Sequence, residues 1–111
     1  MITAAGNTLV FNSVIAGVLD TISVISVRRA SGEFFRKIPT ATEVISAQER
    51  LFTFYLNENE ANDIITGFSL YANATDDLGT GTELATQAES IAKDNTQSIT
   101  VNWGVSVVWV I

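Results

Sequence analysis

Ser98-Ile-Thr-Val-Asn-Trp-Gly-Val-Ser-Val-Val-Trp-Val-Ile111 is the stretch that decides the fold class. Ile99, Val101, Trp103, Val105, Val107, Trp109 and Ile111 share one phase, and Ser98, Thr100, Asn102, Gly104 and Ser106 occupy the other. A period of two is that of a strand with one buried face. A helix would spread the same side chains around its axis, and their β-branched and aromatic character suits a pleated surface. Beyond Ser106, Val108 and Val110 make the second face apolar as well, so this end is expected to be covered on both sides, by the domain or by a neighbour.

The same pattern recurs upstream. In 50–56, Phe52, Phe54 and Leu56 oppose Thr53 and Tyr55; in 64–72, Ile64, Phe68 and Leu70 share a phase, and Gly67 marks a bulge or a close backbone approach. The segment 20–28 is rich in Ile, Val, Thr and Ser, but its apolar phase switches between Val24 and Ile25, which reads as a strand buried on both faces or bulged. Ser31-Gly32 follows as a turn. A further strand is expected within 34–45, confined by Pro39 to an edge or a strand start. The weakly alternating 83–91 precedes the polar turn Lys93-Asp-Asn-Thr96. Between 50–56 and 64–72, Asn57-Glu-Asn-Glu-Ala-Asn-Asp63 is a surface connection with room for one helical turn. Six strand candidates, short polar connections and no helix longer than 13–19 predict an all-β fold. An antiparallel β-sandwich or barrel with at most one short helix is expected, with 1–111 as a single domain.

Composition supports a folded chain and removes whole classes of chemistry. Of 111 residues 47% are apolar and 16% charged, and mean hydropathy is +0.28, opposite to the signature of disorder. A globule of this size buries roughly 65% of the surface its unfolded chain exposes. With no cysteine there are no disulfides, thiolate metal sites or cysteine nucleophiles. With no histidine the commonest general base and transition-metal ligand is missing. A net charge of −6 repels a phosphate backbone, so no nucleic-acid partner is expected. The longest apolar runs fall far short of the roughly 20 residues of a membrane-spanning helix, so no membrane partner is expected either.

Few constellations remain. Glu58 and Glu60 are two apart, on opposite faces of a strand and not neighbours on a helix, and read as a solvated loop instead of an acid/base pair. The serines and threonines lack an activating partner, so the chain is expected not to be an enzyme and to carry no catalytic residue. The loop Asn73-Ala-Thr-Asp-Asp-Leu-Gly-Thr-Gly-Thr-Glu83 offers oxygen ligands for a hard cation such as calcium, but not with EF-hand spacing. A hairpin loop whose Asp and Gly residues supply turn conformations is the plainer reading. Neither a metal nor a cofactor is expected.

Arg28, Arg29, Arg36 and Lys37 concentrate four of the six basic residues of an acidic chain, as a surface for an acidic neighbour or as a solvated turn. Natural monomers guard sheet edges with lysine or proline, and this chain barely does. Together these nominate an assembly interface of Arg28, Arg29, Phe34, Phe35, Arg36, Val108, Trp109, Val110 and Ile111, although side chains such as Phe34, Phe35, Trp109 and Ile111 are more often plain core.

Four segments carry a resemblance to a known family. They are Glu33-Phe-Phe-Arg-Lys37, Phe52-Thr-Phe-Tyr-Leu-Asn-Glu-Asn-Glu-Ala-Asn62, Ile65-Thr-Gly-Phe-Ser-Leu-Tyr71 and Ile91-Ala-Lys-Asp-Asn-Thr-Gln-Ser-Ile-Thr-Val-Asn-Trp103. From about Arg28 onward the order of elements resembles small bacteriophage tail and baseplate structural proteins, including tail-fibre N-terminal domains. The last segment is the most characteristic: a lysine, a short polar turn and an alternating strand ending near tryptophan. The resemblance implies a virion structural protein, a tail, baseplate or fibre-attachment subunit that assembles with copies of itself and with other virion proteins. A capsid decoration protein is the first alternative. A small sugar- or calcium-binding β module is the second, and it would use the 73–83 loop with Tyr55 or Tyr71.

Overall fold

The structure, a computed structural model, describes residues 17 and 19–106. Seven strands follow one another: β1 (Ile22–Arg29), β2 (Gly32–Lys37), β3 (Ala41–Ser46), β4 (Glu49–Leu56), β5 (Ile64–Ala72), β6 (Thr82–Ala92) and β7 (Ile99–Ser106). They form two antiparallel sheets, one of order β2-β1-β5-β6 and one of order β3-β4-β7. The fold is all-β and a sandwich, the first of the two expected architectures. Gly17 and Leu19 have helical backbone, and the rest of the helix expected over 13–19 lies outside the described residues.

Both sheets turn their apolar phase inward. Ile25 and Val27 of β1, Ile65, Phe68 and Leu70 of β5, and Phe52, Phe54 and Leu56 of β4 make one cluster, joined by Leu19. Each such side chain contributes about 1.5–3 kcal/mol by leaving water. The phase switch in β1 has both of its anticipated causes. The register against β5 shifts between Ile22 and Val24, and Val24 is fully buried yet stands outside the inter-sheet cluster.

The expected strand within 34–45 is two strands in different sheets. Pro39, with no N–H to offer a ladder, lies between β2 and β3 at the crossing, and both flanking strands are edges. The 57–63 connection holds turns and bends and no helical turn. Gly67 sits at a register shift in the β5–β6 pairing, where a Cβ would come 2.9 Å from the Gln87 carbonyl oxygen. A close backbone approach of that kind excludes any side chain.

Candidate functional site

Among the described residues the sandwich has four edge strands, and their chemistry differs. β2 carries Glu33, Arg36 and Lys37, with a register shift beside it; β3 carries Glu43 after Pro39, with another shift; β6 carries Glu83 and Glu89, with two. Charge, proline and bulges are the devices that stop edge-to-edge pairing. β7 has none of them. Its eight residues pair with β4 in one unbroken register, from Glu49↔Ser106 to Leu56↔Ile99, and no charged residue or proline occurs from Asn95 to Ile111.

The free side of β7 follows from the ladder. The Thr53 carbonyl accepts from the Thr40 N–H, and the Tyr55 N–H donates to Thr40 Oγ1, so the odd-numbered residues of β4 direct their backbone groups to the β3 side. Phe52 and Phe54 therefore bond β7 through Trp103 and Val101, and alternation within β7 turns the N–H and C=O of Thr100, Asn102, Gly104 and Ser106 outward. Their side chains lie on the exposed face, while Ile99, Val101, Trp103 and Val105 face the other sheet and pack against the core.

That inward row is only half covered. The facing edge strand β6 offers Ala85, Gln87 and Glu89, with Ile91 as its one large apolar contribution to the core, and nearly all of β6 is exposed. The mismatch leaves an open cleft of about 400 Å³ between β6 and β7, floored by Phe68, Ile91, Ile99, Val101 and Trp103 and rimmed by Gln87 and Glu89. A desolvated apolar floor with few polar groups can hold an inserted side chain or pair a strand.

The structure gives each member of the basic cluster an acidic partner within the chain. Arg28 pairs with Glu83 at 3.3 Å, Arg29 with Asp63 at 2.8 Å, Arg36 with Glu33 at 2.7 Å and Lys37 with Glu60 at 2.6 Å. Each cation is matched by a carboxylate of its own chain, so the four do not form a free positive patch. Phe34 and Phe35 are half-buried against the core, and the Arg29 guanidinium lies over the Phe34 ring at 5.1 Å. Val108, Trp109, Val110 and Ile111 lie outside the described residues. The β6–β7 cleft was missed in the sequence reading, since only pairing shows that 83–91 and 99–106 end up as facing edges.

The 73–83 loop is organised by a cation of the chain itself. Arg36 has a side chain 0% exposed and donates through Nη1 to the carbonyls of Thr75 (3.0 Å) and Thr80 (2.8 Å) and to Thr80 Oγ1 (2.9 Å). Its Nε and Nη2 grip Glu33, and its guanidinium stacks on Tyr71 at 4.3 Å. Three of the loop oxygens, the Thr75 and Thr80 carbonyls and Thr80 Oγ1, thus already serve a guanidinium, and Tyr71 is covered as a sugar platform; Tyr55 is exposed. Among the described residues no group of three acidic side chains could hold a metal ion.

Burial pushes the Glu33 carboxyl up, but hydrogen bonds from Arg36, Ser26 and the Gly79 N–H outweigh it and hold the group below its ordinary range. Glu60 is likewise lowered against the effect of burial by the Asn57 N–H and by Lys37, with Lys93 adding its charge. These are structural carboxylates, fixed as anions by donors. No helix among the described residues is long and apolar enough to cross a membrane. Comparison with protein-family models, with curated proteins and with solved structures finds no match to the chain.

Proposed function

We propose that this chain is a structural subunit that works by assembly, a component of a bacteriophage tail, baseplate or fibre attachment, located in the virion and joined to copies of itself and to other virion proteins. The observation that carries the assembly part is the contrast among the four edges: three guarded, and β7 uncharged, regular and beside an open apolar cleft. Such an edge in a protein kept in solution by a charge of −6 is a pairing surface. The virion part rests on the four sequence segments resembling small tail and baseplate proteins.

Imaging of particles from the phage that encodes this chain tests the reading directly. Density for the sandwich at the tail or baseplate is the expected result. Density on the shell would favour capsid decoration, and a particle lacking the chain would overturn the virion assignment.

A further inference from the structure

We infer that the edge of β7, unpaired among the described residues, pairs antiparallel with β7 of a second copy across a two-fold axis, joining the two three-stranded sheets into one sheet of order β3-β4-β7-β7′-β4′-β3′. The inference rests on the assembly reading above and names its contact. An antiparallel edge is self-complementary under a two-fold axis, since each copy presents the same donors and acceptors in opposite direction.

Charge selects the partner. Two copies of a chain carrying −6 repel one another where their carboxylates meet, as Glu43 does at the centre of a β3–β3′ pair and Glu83 against Glu89′ in a β6–β6′ pair centred on Thr86. β7 is the one edge of the four with no charged residue, so its own copy meets it in every register without like charges opposite each other, an arrangement that destabilises a cross-strand pair. Alternation also restricts the register. Opposed residues share a sheet face, so odd-numbered residues must meet odd-numbered ones, with the axis at Asn102 or Trp103. Either choice sets Val101 and Trp103 beside Val105′, Val101′ or Trp103′ and carries the apolar row across the joint. It also brings apolar side chains of the second copy to the open mouth of the β6–β7 cleft. Gly104 helps, because nothing lies within 4 Å of where its Cβ would be and the neighbouring strand meets no obstruction there.

Residue-resolved hydrogen exchange on the unmodified chain, with mass measurement by sedimentation, tests this. The odd amides of β7 are bonded to β4 in either state. The amides of Thr100, Asn102 and Gly104 become protected at high concentration and exchange freely on dilution, as the mass falls from twice 12.0 kDa to 12.0 kDa. Asn102→Pro removes an outward N–H without touching the β4 ladder, and Gly104→Lys adds the missing edge guard in open space. Each is expected to weaken the dimer at least about tenfold with the circular dichroism spectrum retained.

A wild-type monomer, a particle of any other size, or unprotected even amides within a dimer would overturn the inference. A monomer that still binds another virion protein leaves the assembly reading standing. A monomer that binds none counts against both.

Discussion

Arg36→Met removes the cation that ties the 73–83 loop to the four-stranded sheet. The side chain is wholly buried and makes five hydrogen bonds, two to Glu33, two to Thr80 and one to Thr75. Deleting one partner of a buried ion pair is worth about 3–5 kcal/mol, chiefly because the other charge is left behind. Here Glu33 keeps the Ser26 hydroxyl at 2.6 Å and the Gly79 N–H at 3.2 Å, and the loop carbonyls can rehydrate, which puts the loss at the lower end, about 3 kcal/mol. For a domain of this size each kcal/mol moves the melting temperature by roughly 4 °C, so a fall of about 12 °C is expected by calorimetry or urea unfolding. Arg36→Lys should recover only a small part, since an ammonium cannot fork between Glu33 and two carbonyls. Added calcium should restore nothing in either variant. A melting temperature within about 3 °C of the parent, or rescue by calcium, would refute the claim that the guanidinium organises this loop.

Three further outcomes follow from the same geometry. Glu33 and Glu60 ionise below their ordinary value of 4.5 in the folded chain, so their contribution is complete above that pH and is lost as pH falls through it; urea midpoints should drop steadily below about pH 4.5, and in Arg36→Met the Glu33 share should largely vanish. Gly67→Ala places a methyl 2.9 Å from the Gln87 carbonyl oxygen, forcing β5 and β6 apart at their bulge, and about 1–3 kcal/mol should be lost in denaturant unfolding. Phe54→Ala empties a fully buried site between the sheets and should lose about 3–5 kcal/mol, a large part of the stability of a domain this size, read as a lowered urea midpoint.

The strands legible in the sequence were those with one buried face, together with the bulged and doubly buried β1. The 99–106 alternation, the 50–56 alternation and the Val24/Ile25 phase switch each report a local periodicity, because the pleat sends successive side chains to opposite faces whatever the partner strand. The Gly67 bulge was legible for a similar reason: a missing side chain within an apolar run has few other uses. The 34–45 segment misled because Pro39 was taken to limit one strand when it separates two. The ion pairs of the basic cluster were not legible because its carboxylates come from far along the chain, Glu83 for Arg28, Asp63 for Arg29 and Glu60 for Lys37.

Composition and periodicity by themselves determined an all-β chain without thiol or imidazole chemistry, acidic overall and uncharged toward its end. Only the tertiary structure decided that β7 is an edge among the described residues, that its even-numbered backbone groups point away from β4, and that β6 faces it with small and polar side chains across an open cleft. The physical reason is that a strand's pattern fixes which face is buried, whereas its edge is fixed by hydrogen bonds to strands distant in sequence. For this protein the edge is where its assembly is proposed to lie.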